Sequence, residues 1–381
     1  MSYIHEQPDW PTLKWDMEKL ARPVADIRQQ QGFLLGQMAT LGFDARADAS
    51  LETLTSDVIK SSAIEGEILD YEQVRSSIAR KLGIDLGGIT PVSRHVEGVV
   101  EMMLDATQNY RLPLTEDRLF RWHNALFPTK HSGLREISVG TWRSLDVGPM
   151  QVISGPFGRE KVHFEAPSAD RIDQEMKLFL NWFNEPNSID PILKAGVAHL
   201  WFVTIHPFED GNGRIARAIA DLSLARADGS QERFYSMSAQ IDKERKEYYA
   251  TLENAQKDNV EITPWLQWFI SCLGRAIDNA NHVMGNILHK ARIWDFIRDH
   301  STNERQRIVI NRLLDNFNGK LTSSKYAKLA KCSQDTALRD IRQLLNYGIL
   351  GQDPSGGRST SYQLLDRKKD SFNGSMITTK G

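Results

Sequence analysis

Cysteine is scarce in this chain, and the two cysteines that are present show no pattern. Cys272 and Cys332 are far apart among the 381 residues and lack the spacing of metal ligands. We therefore expect two free thiols of a cytosolic protein rather than a disulfide framework or a zinc site.

Long apolar runs and a strong net charge are also missing. No run approaches the roughly 18–20 apolar residues of a membrane-spanning helix. The first twenty residues carry acids and tryptophans where a signal peptide needs an apolar core. The net charge is only -2, so nothing global demands a nucleic acid or a membrane as partner. We expect a cytoplasmic protein without a membrane partner, long enough for two or three domains.

The chemistry is concentrated in residues 206–217, which read HPFEDGNGRIAR. Gly211 and Gly213 allow a positive φ and a close approach of the backbone to a ligand. Successive N–H groups in such a turn form an anion-binding nest. The residues that follow are typical of a helix, whose N-terminus adds further N–H donors and the positive end of its dipole. The stretch therefore predicts an anion site.

The side chains around this turn indicate which anion. Arg214 and Arg217 are three residues apart and share one helical face, which suits two phosphate groups. Asp210 is a hard oxygen ligand, suited to a magnesium ion that bridges phosphates. His206 is able to remove a proton near neutral pH. Each residue alone is more often structural, but together they predict a polyphosphate site.

The stretch resembles the signature of the Fic family, H-x-F-x-[DE]-G-N-G-R-x-x-R, and matches it at every specified position. The resemblance implies a protein adenylyltransferase, a nucleotidyltransferase that moves AMP from ATP to a hydroxyl. The acceptor would be a Ser, Thr or Tyr of a target protein or of the chain itself, and pyrophosphate would leave. Phe208 would anchor the loop in the core and take no part in the chemistry.

The same resemblance implies a role for each polar residue of the stretch. His206 would take the proton of the acceptor hydroxyl, and Asp210 would hold Mg²⁺ across the α- and β-phosphates of ATP. Arg214 would hold the β-phosphate and Arg217 the γ-phosphate. Charge on the α-phosphoryl oxygens would be stabilised by the turn residues Gly211, Asn212 and Gly213.

A second motif ends the helix predicted over residues 50–65. On that helix Leu51, Leu54 and Val58 are expected to face the core, and Thr55 to face away. The helix closes with the sequence SSAIEG, in which the glycine is a natural helix stop. An acid at a helix C-terminus opposes the dipole and favours a cationic partner. The plainer alternative is an exposed glutamate.

The closing sequence resembles the inhibitory motif of Fic proteins, [ST]-x-x-x-E-[GN], with Ser61, Glu65 and Gly66 in the specified places. The resemblance implies that Glu65 pairs with Arg217. It would thereby block the position of the ATP γ-phosphate.

Between residues 133 and 166, glycines and short β-type runs interrupt the helical pattern. Runs at 150–154 and 161–164 flank the turn 155–158, which predicts a β-hairpin. A decorative surface hairpin is one interpretation. The Fic resemblance implies instead a flap that lies over the active site and holds a target segment by strand addition. The positions most similar to nucleotide-side flap residues are Val152, Ile153, Ser154 and Gly155.

The helix that opens at residue 241 contains two neighbouring tyrosines. In Fic proteins a tyrosine here and a polar residue eight positions later line the adenine pocket. The resemblance places Tyr248 and Gln256 in these roles, although many members carry Asn at the second place. Ordinary packing is the alternative for Tyr248 and Tyr249.

The C-terminal part has a different character. Two helices and a β-hairpin at its end resemble a winged helix. Residues 320–369 contain ten Lys and Arg against four Asp and Glu, a charge of +6 that leaves about -8 on the remainder. This asymmetry is compatible with DNA contact through phosphates. A winged helix that contacts proteins or supports a homodimer is equally compatible.

The predicted fold is mainly α: a Fic helical core with a β-hairpin flap, followed by a C-terminal winged-helix domain. The predicted domains are an N-terminal helical region with the inhibitory helix, a Fic catalytic core, a winged-helix-like domain and a mobile tail, over residues 1–110, 111–285, 286–366 and 367–381. Within the core, helices are expected over 263–285 and, beyond it, over 292–298.

Two alternatives to AMP transfer stay open. The same fold supports transfer of another nucleotide, or removal of AMP with Glu65 as the base for water. A DNA-binding regulator with a nucleotide-sensing Fic core is the alternative of a different class.

Overall fold

The computed structural model describes residues 2–365, apart from 86–89, 156, 157, 160, 187, 258, 299, 315–319 and 354–359. The predicted tail at 367–381 lies outside the described residues, and so does part of the hairpin turn at 155–158. The chain forms two units, 1–281 and 282–381. The further division at residue 110 stays a prediction.

The described residues form a mainly α-helical chain with small β-hairpins. The helices of the first part are α1 (Met17–Ala39), α2 (Phe43–Ile64), α3 (Tyr71–Leu82), α4 (Arg94–Gln108), α5 (Glu116–Leu126), α6 (Ile172–Asn184), α7 (Pro191–Ile205), α8 (Asn212–Asp228), α9 (Met237–Lys243), α10 (Arg245–Ala255) and α11 (Thr263–Arg298). The remaining helices are α12 (Glu304–Leu314), α13 (Ser323–Leu329) and α14 (Gln334–Asn346). The strands are β1 (His131–Ser132), β2 (Arg135–Glu136), β3 (Gln151–Ser154), β4 (Lys161–Glu165), β5 (Leu350–Gln352) and β6 (Tyr362–Leu364).

Local side-chain chemistry explains where many of these helices begin. A side-chain oxygen just before the helix accepts a hydrogen bond from an N–H of the first turn, which satisfies a donor that the helix leaves unpaired. The residues that do this are Asp16, Asp70, Ser93, Thr115, Asp190, Ser236, Thr322 and Ser333. Pro191 then occupies the first position of α7, where the missing N–H costs nothing.

The core of the first unit is built around α7. Every residue of α7 from Ile192 to Ile205 except Lys194 is buried, so the helix is apolar on all sides. It packs along α8. A Cβ added at Gly196 would lie 2.9 Å from Leu266 Cδ2, which shows how closely α11 approaches this helix. The pair α7 and α8 therefore forms a rigid platform for the loop that joins them.

The hairpins are antiparallel. Strands β3 and β4 form the hairpin predicted over 150–164, with an irregularity between Val152 and Ile153. Strands β1 and β2 form a shorter hairpin that the sequence analysis did not predict.

Two expectations about helices were wrong. One continuous helix, α11, spans the residues for which two helices were expected. Its glycines, Gly274 and Gly285, are isolated, and no proline follows Pro264, so nothing breaks it. Thr55 was expected to face away from the core but is fully buried. Its hydroxyl donates to the carbonyl of Leu51 at 2.7 Å, so its burial leaves no unpaired donor.

The second unit has its own apolar core. Helices α13 and α14 precede the hairpin β5–β6, which is the order of two helices and a hairpin that the sequence predicted, and α12 comes before them. Buried side chains from all three helices meet in this core, including Val309, Ile310, Tyr326, Ile341 and Leu344. Across the described part of the whole chain, no helix has the length and apolarity needed to cross a membrane.

Candidate active site

The loop between α7 and α8 is held in one shape by its own residues. His206 ends α7 in a left-handed conformation with φ 51°, and Gly211 precedes α8 with φ 81°. The side chain of Asn212 closes the loop: it accepts from the N–H of Phe208 at 3.0 Å and donates to the carbonyl of Phe208 at 2.8 Å. Phe208 is fully buried and stacks on His123 with ring centroids 4.1 Å apart. Phe208 thus lies where an anchor of the loop should.

His206 is oriented by its neighbours. Its Nδ1 lies 3.2 Å from the carbonyl of Val203, so a proton on Nδ1 leaves Nε2 as the free base. Arg143, which the sequence analysis did not single out, donates from Nε to the carbonyl of His206 at 2.8 Å. Burial lowers the pKa of His206 to about 4, so the ring is neutral at physiological pH.

Asp210 lies at the start of the turn. Its Oδ1 accepts from the N–H of Gly211 at 2.6 Å, and its Oδ2 contacts the hydroxyl of Ser132. Among the described residues no group of three or more His, Cys, Asp or Glu is placed to hold a metal ion. Asp210 therefore lies beside the N-terminus of α8 without a further pair of such side chains around it among the described residues.

Arg217 is held by the end of α2. Its Nη1 lies 2.8 Å from Glu65 Oε1, so the structure contains the ion pair that the motif predicted. Its Nε and Nη2 donate to the hydroxyl and the carbonyl of Ser61, at 3.0 and 2.8 Å. Ser61 is fully buried. The first residue of the inhibitory motif therefore contacts the same guanidinium as its glutamate.

Glu65 also lies against the beginning of α8. A Cβ added at Gly213 would lie 2.2 Å from Glu65 Oε1. The helix α2 ends at Ile64, and Gly66 has a positive φ of 86°, as expected for a glycine that terminates a helix. The carboxylate thus occupies space directly beside the N–H groups that were predicted to bind phosphate.

Arg214 is held by a residue that sequence reasoning missed. Its Nη1 lies 2.8 Å from Oε2 of Glu67, two residues beyond Glu65. His95 of α4 contacts the other carboxylate oxygen. Burial opposes ionisation of Glu67, but the hydrogen bond from His95 and the charge of Arg214 hold its pKa below the usual range. No motif includes this position, so no signal in the sequence identified it.

The predicted adenine residues lie in the core. Tyr248 is buried, and its hydroxyl lies 2.9 Å from His199 Nε2. Gln256 is also buried and donates from Nε2 to the hydroxyl of Thr204 at 3.2 Å. The neighbouring Tyr249 is instead partly exposed, and its hydroxyl lies 3.5 Å from Glu65 Oε2. A contact of Tyr248 or Gln256 with adenine stays a prediction.

The β3–β4 hairpin is attached to α10 through a chain of side chains. The hydroxyl of Ser154 lies 2.5 Å from His163 Nε2, and His163 Nδ1 lies 2.6 Å from Glu253 Oε2. Glu253 is one helical turn beyond Tyr249, so both are on the same face of α10. Strand β3 is exposed along its whole length, including Val152 and Ile153. The four predicted flap positions, which end at Gly155, thus belong to an exposed hairpin beside the face that carries Tyr249.

The chain matches two family models. Residues 3–84 match the model described as Domain of unknown function (DUF4172), and residues 113–224 match the Fic/DOC family. The second match contains the whole loop from His206 to Arg217. Residues 113–224 therefore match the family that the sequence resembles, which confirms the resemblance.

Curated relatives carry the name of an enzyme. The chain is 24% identical over 238 residues to the protein adenylyltransferase Fic of Nematostella vectensis, covering 60% of this chain and 48% of that protein. It is 27% identical over 239 residues to the protein adenylyltransferase fic-1 of Caenorhabditis elegans, covering 62% of this chain and 42% of that protein. The chain thus spans less than half the length of these two relatives.

Solved structures share the fold. A Fic family protein from Desulfovibrio desulfuricans G20 has a TM-score of 0.51 at 21% identity, covering 90% of this chain and 96% of that chain. A Fic domain containing signaling protein from Bacteroides thetaiotaomicron VPI-5482 has the same TM-score and identity, covering 68% and 98%. The helical fold predicted from the sequence is therefore confirmed.

Proposed function

We propose that this chain is a protein adenylyltransferase. It transfers AMP from ATP to a Ser, Thr or Tyr hydroxyl of a target protein or of itself, and it releases pyrophosphate. The observation that carries the proposal is the convergence of a half-buried histidine, the carboxylate of Asp210 and two buried arginines on the first turns of α8. The relatives named protein adenylyltransferase support the same activity.

In this proposal His206 is the general base. The acceptor oxygen forms a bond to the α-phosphorus while the bond from that phosphorus to the pyrophosphate oxygen breaks. The hydroxyl proton passes to His206 Nε2, which is available because Nδ1 faces the carbonyl of Val203. The hydrogen bond of Arg143 to the His206 carbonyl keeps the ring at the end of α7. This positioning supplies much of the rate, because phosphoryl transfer needs little covalent help from the protein.

The phosphates are held by α8 and its preceding turn. Arg214 takes the β-phosphate and Arg217 the γ-phosphate once their carboxylate partners have left. The N–H groups at the start of α8, from Asn212 and Gly213, face the α-phosphoryl oxygens and stabilise the charge that develops there. The side chain of Asn212 serves the turn by closing it on Phe208.

Asp210 fits a magnesium ion that is held mainly by its substrate. Mg²⁺ in nucleotide sites takes one or two carboxylates, and phosphates and waters supply the other ligands. The carboxylate of Asp210, a hard oxygen ligand beside the turn that precedes α8, meets that requirement. When bound there, the ion would supply positive charge that offsets the charge of the phosphate groups.

Glu65 makes the activity self-limiting in this proposal. While its carboxylate holds Arg217, the γ-phosphate of ATP has no partner. Contact of Ser61 with the same guanidinium strengthens the hold. The enzyme is then active only when Glu65 moves away.

Replacing His206 by alanine tests the proposal. General base loss costs about 10²–10⁴ in rate, so labelling from α-³²P-labelled ATP should vanish in a Glu65→Gly background, while calorimetry still shows ATP binding. His131→Ala, which removes an exposed histidine bonded to the Thr129 carbonyl, is the matched control. Near-normal labelling by the His206 variant would reject the assignment.

The mass of the product separates AMP transfer from its two relatives on the same fold. AMP transfer adds about 329 Da to the acceptor, as expected for attack at the α-phosphorus. Another added mass indicates another nucleotide. Loss of that mass from a modified target indicates removal of AMP, with Glu65 as the base for water.

The second unit supports a further candidate, DNA binding by a winged helix. On α14, Arg339 and Arg342 are exposed and three residues apart, so both are on one face of the helix and accessible to a phosphate backbone. A gel shift with genomic fragments, with and without ATP, tests this role, and Arg339→Glu should abolish the shift. Absence of any shift, together with a dimer by light scattering that Arg339→Glu disrupts, would favour a homodimer surface.

A further inference from the structure

Two carboxylates of one turn hold the two arginines of α8. Glu65 Oε1 lies 2.8 Å from Arg217 Nη1, and Glu67 Oε2 lies 2.8 Å from Arg214 Nη1. Both guanidinium groups are almost completely buried, with 2% and 6% of the side chain exposed. The turn between the carboxylates is fixed by the N–H of Glu67, which donates to the carbonyl of Ser62 at 3.1 Å. Two negative groups therefore meet two neighbouring cations at fixed positions.

The Arg214 pair is built from more than one side. His95 of α4 contacts the second oxygen of Glu67, so the carboxylate is held from two directions. The guanidinium lies over the ring of Phe127, with its central carbon 5.1 Å from the centroid. An ion pair between two mobile surface side chains contributes little to stability. The pair of Arg214 and Glu67 differs, because other residues hold both partners in place.

Arg214 also keeps an unused donor. Its Nε is buried and has no hydrogen-bond partner among the residues that the structure describes. A carboxylate on Nη1 alone leaves this donor unsatisfied. A phosphate group, with three oxygens, is able to take both.

We propose that Glu67 is a specificity-determining residue that, together with Glu65, occupies two phosphate positions, so that the closed site admits a nucleoside monophosphate and excludes a triphosphate. This inference rests on the proposed function, in which Arg214 and Arg217 bind the β- and γ-phosphates of ATP. In that function a single phosphate group needs neither arginine, because the N–H groups at the start of α8 would be its partners. Glu65 alone leaves the β-phosphate position open, and Glu67 closes it.

A different role for Glu67 makes the opposite prediction. If Glu67 served to position Arg214 for the β-phosphate, its removal would weaken ATP binding. If Glu67 competes with that phosphate, its removal strengthens ATP binding. The sign of the change in the ATP dissociation constant therefore decides between the two roles.

The experiment measures binding of two ligands to the full chain by calorimetry with Mg²⁺. The ligands are α,β-methylene-ATP, which has three phosphate groups and cannot transfer AMP, and AMP, which has one. The variants are Glu67→Gln, Glu65→Gln and the double variant. Glu97→Gln is the matched control, because it removes one negative charge from α4, which also carries His95, but its carboxylate contacts Arg80.

Glu67→Gln should lower the Kd for the triphosphate about tenfold, which corresponds to about 1.4 kcal/mol. We take this energy from the lower end of the range for a charge-assisted hydrogen bond, because about a third of the Glu67 side chain is exposed and solvent screens its charge. The Kd for AMP should change less than about twofold, and Glu97→Gln should change neither. His95→Gln, which removes one support of Glu67, should shift the triphosphate Kd in the same direction by a smaller factor.

Unchanged or weaker triphosphate binding by Glu67→Gln would overturn the inference, and so would an equal gain for both ligands. The proposed function itself fails if Glu65→Gln shows two further results: it binds the triphosphate no more tightly than the parent chain, and it does not label protein from ATP. If Glu65→Gln behaves as expected and Glu67→Gln does not, only the role of Glu67 is wrong.

Discussion

Under the proposed function, removing the carboxylate of Glu65 should switch on AMP transfer. Glu65→Gly deletes the side chain that holds Arg217, and Glu65→Gln keeps its size but removes its charge. In both variants the guanidinium is free to meet the γ-phosphate of ATP. Because Arg217 stays buried and keeps its bonds to Ser61, the site should remain folded.

The size of the effect follows from the exposure of the two partners. A charge-assisted hydrogen bond is worth about 1.5–3 kcal/mol, or roughly ten- to hundredfold. Arg217 is buried, but a third of the Glu65 side chain is exposed, so solvent screens the pair. Glu67 still holds Arg214 in these variants. We therefore expect about tenfold to thirtyfold more self-labelling from Glu65→Gly, with a smaller gain from Glu65→Gln.

The assay compares initial rates of self-labelling from α-³²P-labelled ATP at equal protein concentration. Glu52→Gln is the matched control, because Glu52 is an acid of the same helix whose partner is Arg75. It should label at the rate of the parent chain. If Glu65→Gly labels no faster than the Glu52 variant, then the ion pair with Arg217 does not restrain the enzyme, and the reasoning is refuted.

Two further predictions concern the acid and metal dependence of the activity. Burial lowers the pKa of His206 from 6.5 to about 4, so folding favours the neutral ring. The free energy of unfolding that this shift contributes is present above pH 6.5 and is lost as the pH falls from 6.5 through 4. The value of kcat/KM in Glu65→Gly should thus stay level from pH 8 down to about 5.5, and an acid limb centred near 6.5 would contradict this. Asp210→Asn should lower the labelling rate about a hundredfold. Addition of EDTA should have the same effect on the protein that keeps Asp210. Equal rates with and without EDTA would exclude the role given to magnesium.

Local motifs allowed the centre of the site to be predicted. The glycines and arginines of the loop act through backbone geometry and helical spacing, which are properties of a few neighbouring residues. The pair of Glu65 and Arg217 is a distant contact, but each partner lies in its own recognisable motif. The structure contains that contact at the predicted place.

Contacts without a motif could not be predicted. Glu67 and Arg214 are 147 positions apart in the sequence, and no pattern around either residue indicates that the two are in contact. Arg143 likewise reaches His206 only through the fold. On α10, adjacent tyrosines are about 100° apart around the helix, so periodicity alone did not decide which one faces Glu65. The structure selects Tyr249.

The position of Thr55 on α2 was misjudged for a related reason. Periodicity assigns polar side chains to the solvent face, yet Thr55, Asp57 and Ser61 are buried. Asp57 accepts from the N–H of Ser238 at 3.2 Å, and Ser61 accepts from Arg217. The partner surface of α2 is itself polar, which the pattern of α2 alone does not reveal.

The burial of α2 has a consequence for how the enzyme opens. The helix is fixed along its length by buried side chains, so it is not free to swing away as a body without exposing core residues. The three residues beyond its end are joined to it by three backbone bonds, from the N–H groups of residues 65–67 to the carbonyls of Ser62 and Ala63, and otherwise by the ion pairs of Glu65 and Glu67. Opening should therefore be a local unfolding of these few residues. In hydrogen exchange their amides should exchange rapidly, while the amide of Val58 stays protected.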